Sequence, residues 1–469
     1  MSEKKSVSED SSKVTKSLSP LKLNNKRTFL IGTAFFSITL LWYVYNTQCP
    51  LILEKMLTET NGDGDYKTLI GVIMAMDNIF AIIMLPIFGH LSDKTHTKLG
   101  RRMPYIIVGM LASLVIFPFI ILSYLWGSLV GVIVSMGLLI LFMMLYRAPS
   151  VALMPDVTPK PLRSKANGII NFVGYIGGIF GGLLLMLAPF KFNVDSTTST
   201  IVNPSTGALG LVWPFVITST LMLIALGILY FNIKENKIEK EMKDDMARGE
   251  ALSETSVGET KDGKLTKADK RNLILIIAAE FFWFMGFNGV NTFWSTYCLE
   301  NLGSNKYAIP STLLIASSLA TFIPAGMLAE KIGRKWTITI GIVICLLGFI
   351  VGIFFTELTA LAYVVFVFVG IGWALINAAS FPMIVEFATK KTVGKFTSIY
   401  YMASMVAQSV TPILIGRFMD VTNNTAFFPY AAACFGTALI IFLFVKNNKK
   451  TIADEKLVEE EIVAEGIEF

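Results

Sequence analysis

Apolar runs long enough to cross a bilayer recur twelve times along the 469 residues, and nothing else in the chain constrains its fold so strongly. About twenty residues in helical form span a hydrocarbon core. The runs fall near 29–53, 68–91, 104–125, 128–154, 164–188 and 209–232, then near 271–298, 307–329, 336–356, 359–386, 395–417 and 426–445. Hydrophobic residues make up 54% of the chain and charged ones 16%, with a mean hydropathy of +0.62. A chain of that composition has too few polar groups to face water, so lipid must cover it. The expected fold class is an all-α membrane protein with twelve transmembrane helices in two pseudo-symmetric six-helix bundles.

The chain divides accordingly. Residues 1–28 read as a disordered cytoplasmic tail, 29–232 as the first bundle, 233–270 as a charged linker, 271–446 as the second bundle and 447–469 as a second tail. Basic loops stay cytoplasmic. Thirteen bases lie in the four short loops on one face: Lys94, Lys98, Arg101, Arg102, Lys160, Arg163, Lys165, Lys331, Arg334, Lys335, Lys390, Lys391 and Lys395. The opposite face has five: Lys55, Lys67, Lys191, Lys306 and Arg417. Both termini are therefore expected in the cytoplasm of a multi-pass cell-membrane protein.

Several chemistries drop out. Cys49, Cys298, Cys345 and Cys434 lie far apart without a CxxC pair, and two histidines, His90 and His96, are too few for a histidine metal site. No phosphate-binding G-x-x-x-x-G-K-[ST] occurs and no nucleophile has a histidine base in the membrane, so neither an enzyme nor a cofactor nor a metal is expected. The expected partners are the lipid bilayer and a small-molecule substrate, with no nucleic acid and a monomeric state.

An internal repeat joins the halves. Gly89, Asp93, Lys94, Gly100, Arg101 and Arg102 follow the second run; Gly326, Glu330, Lys331, Gly333, Arg334 and Lys335 follow the eighth. The two acids are 237 residues apart, as are the leading glycines. Matched loops in two six-helix halves are the mark of a duplicated transporter bundle.

The doubled loop resembles the signature of the major facilitator superfamily (MFS), over residues 29–446. The longer form, Pro86 through Gly89, Ser92, Asp93 and Lys94 to Gly100-Arg101-Arg102-Met103-Pro104-Tyr105, is narrower. With Tyr146-Arg147-Ala148-Pro149 it resembles the sucrose–proton symporters and the bacterial glycoside–pentoside–hexuronide:cation symporters, chiefly over residues 77–167. Met103 departs from the third base usual there. The resemblance implies two bundles rocking about a central cavity lined by spans one, four, seven and ten. It places Arg147 on the fourth-span arginine implicated in sugar recognition, and it gives the loop residues Gly89, Asp93, Arg101, Arg102, Gly326, Glu330, Gly333 and Arg334 a gating role. Melibiose-type relatives hold sodium with two aspartates on span two; Ala81 and Leu85 stand there, which favours protons over sodium. The acidic, Asn-rich stretch of the plant symporters is also missing, since Gly137 to Leu145 is apolar.

Once loops and tails are set aside, three ionisable residues remain in the spans: Asp77, Arg147 and Glu280. Each costs about 2.5–3.5 kcal/mol to insert and so demands a function. Arg147 and Glu280 both lie nine residues from the cytoplasmic end of their spans, roughly 14 Å deep, and Asp77 lies nearer the other face. Glu280 is the first expected partner of Arg147, with Asp77 in competition. A carboxyl that is alternately held by the arginine and released carries a proton in step with conformation. A salt bridge that merely fixes helix packing is the bland alternative.

Sugar sites pair aromatic platforms with amides. Span one offers Trp42, Tyr45 and Asn46; span five Asn171 and Tyr175; span seven Trp283, Asn288 and Asn291; span ten Trp373 and Asn377; span eleven Gln408. Tyr43 and Trp294 suit an interfacial belt at least as well as a site. The expected function is proton-coupled symport of a sucrose- or maltose-like glycoside or oligosaccharide by alternating access. The alternative is an MFS exporter of amphipathic drugs or lipids.

Overall fold

The computed structural model describes residues 21–62, 64–187, 211–255, 267–387 and 393–446. Most of the first tail, the second tail, Lys191, Lys390 and Lys391 lie outside the described residues.

Six helices form the first half: α1 (Asn25–Asn61), α2 (Lys67–Lys94), α3 (Met103–Leu125), α4 (Leu129–Asp156), α5 (Arg163–Leu187) and α6 (Trp213–Asn232). The helix α7 (Glu235–Thr255) follows. The second half is α8 (Lys267–Glu300), α9 (Ala308–Ile332), α10 (Arg334–Gly352), α11 (Ala360–Phe387), α12 (Val393–Thr422) and α13 (Phe427–Leu443). Among the described residues, eleven helices are long and apolar enough to cross a membrane, and α13 is an apolar helix of 17 residues. Together they make the expected all-α, twelve-span architecture.

Local chemistry sets several boundaries. The Asn24 and Ser128 side chains accept from the backbone N–H of Arg27 and Gly131, capping α1 and α4. Pro104 and Pro214 sit in the first turns of α3 and α6, where a missing N–H does no harm. Gly333, at φ +88, is the single residue between α9 and α10, a conformation that glycine adopts without strain. Large apolar side chains stand outward, among them Phe354 at 77% exposure and Phe231 at 76%, which fits a lipid-facing surface.

Packing within the two halves follows one pattern. The pairs α1·α5, α3·α4, α2·α4, α3·α6 and α1·α6 have counterparts α8·α12, α10·α11, α9·α11, α10·α13 and α8·α13. Across the halves, α2 packs on α12 and α5 on α9, two contacts that the same pseudo-two-fold exchange interconverts. The duplicated loop thus corresponds to a duplicated packing plan.

Helix α7 changes the picture of the linker, whose composition alone suggested only a charged connection. Ile238 and Met242, four residues apart, turn toward the first half, while Lys237 and Glu241 pair on the exposed side at 3.8 Å. Glu235, only 2% exposed, accepts from the backbone N–H groups of Arg101, Arg102 and Met103 at 3.0–3.1 Å, at the start of α3. Asn236 donates to the carbonyls of Thr97 and Lys98, and Lys160 pairs with Glu250 at 3.2 Å. A carboxylate at a helix N-terminus satisfies orphan donors and opposes the positive end of the dipole. Glu235→Ala strands those buried donors, so we expect a loss of roughly 1–3 kcal/mol. The check is a lowered apparent melting temperature of the detergent-solubilised protein, with Lys237→Ala unchanged.

Candidate functional site

The bundle has two ends. The near end carries α7 and the loop 95–102; the far end carries residues 62, 64–66, 301–307 and 423–426. The polar contacts between halves gather toward the far end. Asp420 of α12 accepts from the backbone N–H of Lys67 and Thr68 at 2.9 and 2.8 Å and from the Thr68 hydroxyl, so a carboxylate from one half caps α2 of the other. Gln48 donates to the Tyr307 hydroxyl at 3.2 Å, and the Tyr43 hydroxyl lies 3.3 Å from that of Thr312. Gly71 and Gly416 let α2 and α12 approach backbone to backbone. The far end is closed.

At the near end, the first motif assembles as an ionic cluster. Arg102 pairs with Asp93 and, through Nε, with Asp156 at 2.7 Å; it also donates to the Ser92 hydroxyl at 2.5 Å and the Gly89 carbonyl at 3.4 Å. Arg101 reaches Asp156 at 3.3 Å. In the second motif, Arg334 donates to the Pro382 carbonyl at 3.3 Å, and Glu330 is exposed. Asp156 and Glu235 complete the first cluster, although the sequence showed them only as a helix-end acid and a linker acid.

The three intramembrane charges separate. Asp77 is 7% exposed; its Oδ1 accepts from Asn78 N–H at 2.5 Å and Asn78 Nδ2 at 2.6 Å, and it interacts electrostatically with Arg147 and Tyr45. Glu280 is fully buried within the second half, near Tyr400 and Tyr401, and neither of its carboxyl oxygens has a hydrogen-bond partner among the described residues. Arg147 therefore has Asp77 as its electrostatic neighbour, in place of the expected Glu280. The reason is that equal depth does not make two helices face each other: Arg147 and Asp77 sit on α4 and α2, which pack together.

A cavity of about 210 Å³ lies between the halves. Of the expected site residues, Tyr175, Asn291 and Trp373 line it. Trp373 stacks on Phe287 with centroids 3.7 Å apart and planes at 6°. Tyr43 and Trp294, which suited a membrane belt, also line it, with Ser311 and Ser318. Trp294 is held by its indole N–H on the Tyr307 carbonyl at 2.8 Å.

The remaining expected site residues lie elsewhere. Tyr45 and Trp283 are fully buried, and Trp283 packs edge-on to Phe442. Asn171, Asn288 and Asn377 each donate to a carbonyl one turn back on their own helix, at 2.9, 3.1 and 2.8 Å. Trp42 packs against Tyr45, and Asn46 and Gln408 are half-buried, outside the cavity lining. Asn288 and Asn291 are three residues apart, a spacing that shares a helix face, but only the second reaches the cavity.

The family model described as MFS/sugar transport protein matches residues 64–422. No curated protein matches the chain. Among solved structures it is similar to the inward-open conformation of the xylose transporter XylE from E. coli, at 16% identity and TM-score 0.66, over 93% of this chain and 98% of that one. It is also similar to a D-xylose-proton symporter (14% identity, TM-score 0.66, 91% and 98% covered). A peptide transporter POT in complex with sulfate is a third (14%, 0.61, 94% and 99%). Twelve apolar helices in two halves related by a pseudo-two-fold, an inter-half cavity, and a family match over most of the length lead to one conclusion: the chain belongs to the MFS sugar-transport family, a multi-pass membrane transporter and not an enzyme.

Proposed function

We propose that this protein is a proton-coupled importer of a glycoside, working by alternating access with the near end, and hence both termini, in the cytoplasm. The observation that carries the reading is the inter-half cavity, where a stacked tryptophan lies beside an amide and two serines. Aromatic faces take sugar C–H surfaces, and amides and hydroxyls take sugar hydroxyls. At about 210 Å³ the cavity is smaller than ordinary ligand pockets of roughly 300–1,000 Å³, so in this state it suits one glycosyl ring rather than a whole oligosaccharide. The xylose-proton symporter among its structural relatives is in keeping with proton coupling. Coupling falls to Asp77, because it has a cation in its field and Glu280 has none among the described residues.

The test is uptake of labelled mono- and disaccharides into proteoliposomes under an imposed pH gradient. Acid outside should drive accumulation of at least one sugar, and Asn291→Ala and Trp373→Ala should each lower its apparent affinity about tenfold or more, as loss of roughly 1–3 kcal/mol of contact implies. No gradient-driven sugar uptake would sink the proposal. A second reading, export of amphipathic compounds, is favoured by one feature. A groove between α8 and α12 is lined only by apolar side chains, including Ile274, Phe281, Phe282 and Phe396. Amphipathic cargo moving outward in the same vesicles, with no sugar flux, would select it.

A further inference from the structure

Lys67 at the start of α2 is only 8% exposed and is gripped by carboxyl groups from both halves. Its Nζ lies 2.9 Å from Glu54 Oε1 on α1 and 3.1 Å from Glu300 Oε2 at the end of α8. The two carboxyl groups therefore crowd a single ammonium. Charge sets the proton count. Two acids around one ammonium leave one negative charge over, in a partly buried site where like charges cannot both stay ionised cheaply.

The surrounding groups do not supply the missing charge. Asn424 donates its amide to Glu300 Oε2 at 2.7 Å but is neutral. Asp420 is engaged by the backbone N–H groups and hydroxyl at the start of α2. Lys55 is held by Glu59 at 3.3 Å, and Lys306 and Arg417 are exposed with no ion pair to either acid among the described residues.

We propose that Glu54, Lys67 and Glu300 form a proton-binding latch that exists only while the far ends of the two halves are closed. Closing brings Glu300 of the second half against Glu54 and Lys67 of the first and takes one proton from far-side water. Opening separates the carboxyl groups and returns that proton to the same water. Nothing is transferred across the membrane, so the latch is a regulatory site distinct from the coupling group in the spans. By linkage, a ligand that binds one state pulls the equilibrium toward it. Acid on the far side therefore holds the closed state, and the hold is lost as pH rises. Only the naming of that side as extracellular rests on the orientation proposed above.

The experiment needs no sugar. Spin labels on Thr60→Cys and Lys306→Cys report the far-end separation in nanodiscs, and the four native cysteines are buried. As pH falls between about 8 and 5, the ratio of short to long distances should rise by up to about tenfold per unit, the slope of one proton. Glu54→Gln keeps a hydrogen-bond donor with no proton to exchange, so it should stay closed and lose the pH response. Glu300→Gln should do the same, and Glu59→Gln should respond like the parent. A parent distance that ignores pH, or an unaltered response in both glutamine variants, overturns the latch. If the labels respond while no sugar is transported, the latch stands and the substrate assignment fails. If sugar is transported while the labels stay unresponsive, the substrate assignment stands and the latch fails.

Discussion

Arg147→Ala is expected to abolish gradient-driven accumulation while the protein remains expressed and monodisperse. Asp77 is buried, its polar contacts are the two Asn78 donors, and the arginine supplies the compensating field. Among the described residues the two groups make no direct ion pair, so the arginine acts through its field and its loss costs less than the roughly 3–5 kcal/mol of a contacting buried pair. A loss of about 1.4–2.8 kcal/mol corresponds to about a 10- to 100-fold fall in initial uptake rate. Arg147→Lys should recover part of the loss, since it restores the charge without the forked geometry. Asp77→Asn separates coupling from binding: exchange of internal for external sugar should persist while accumulation against a gradient disappears. Glu280→Gln should leave the gradient response in place. If instead Glu280→Gln uncouples and Asp77→Asn does not, the coupling role moves to the second half.

Gly416→Val and Gly71→Val should lock the far end open and cut uptake about 10- to 100-fold. A Cβ on Gly416 would fall on the Lys67 carbonyl oxygen, and one on Gly71 on that of Pro412. These are backbone atoms of the opposite half, so no rotamer change relieves the clash and α2 must move off α12. Overpacking of this kind costs roughly 1–3 kcal/mol, and here the cost falls only on the closed state. Gly137→Val and Gly227→Val serve as controls, because nothing lies within 4 Å of a Cβ at either position. The readout is twofold: uptake rate, and the separation of labels at the far end. Normal uptake with an unchanged label distance would mean that the two helices are not in contact during the cycle.

The spans were legible because membrane insertion is decided by local hydropathy over about twenty residues, which sequence displays directly. The same holds for the duplicated loop, whose glycines, acids and bases repeat at one fixed interval. The site was only partly legible. Tyr175, Asn291 and Trp373 reach the cavity, whereas Tyr45 and Trp283 pack into the interior, and both kinds occur at helical spacing. Periodicity says which residues share a face; it does not say what the face meets. Tyr43 and Trp294 were as well suited to an aromatic belt for the same reason. Glu235, Asp156, Asp420 and the trio Glu54, Lys67 and Glu300 act through contacts between distant segments, which no local signal announces.

Length, apolarity and the repeat by themselves determined that this chain is a twelve-helix membrane transporter of duplicated design, because each is a property of one segment in lipid. Tertiary structure alone decided that Arg147 answers to Asp77, that α7 clasps the first half, and which end is shut. Those outcomes depend on how helices rotate and pack against one another. Long-range side-chain contacts fix that rotation, and a one-dimensional pattern does not record them.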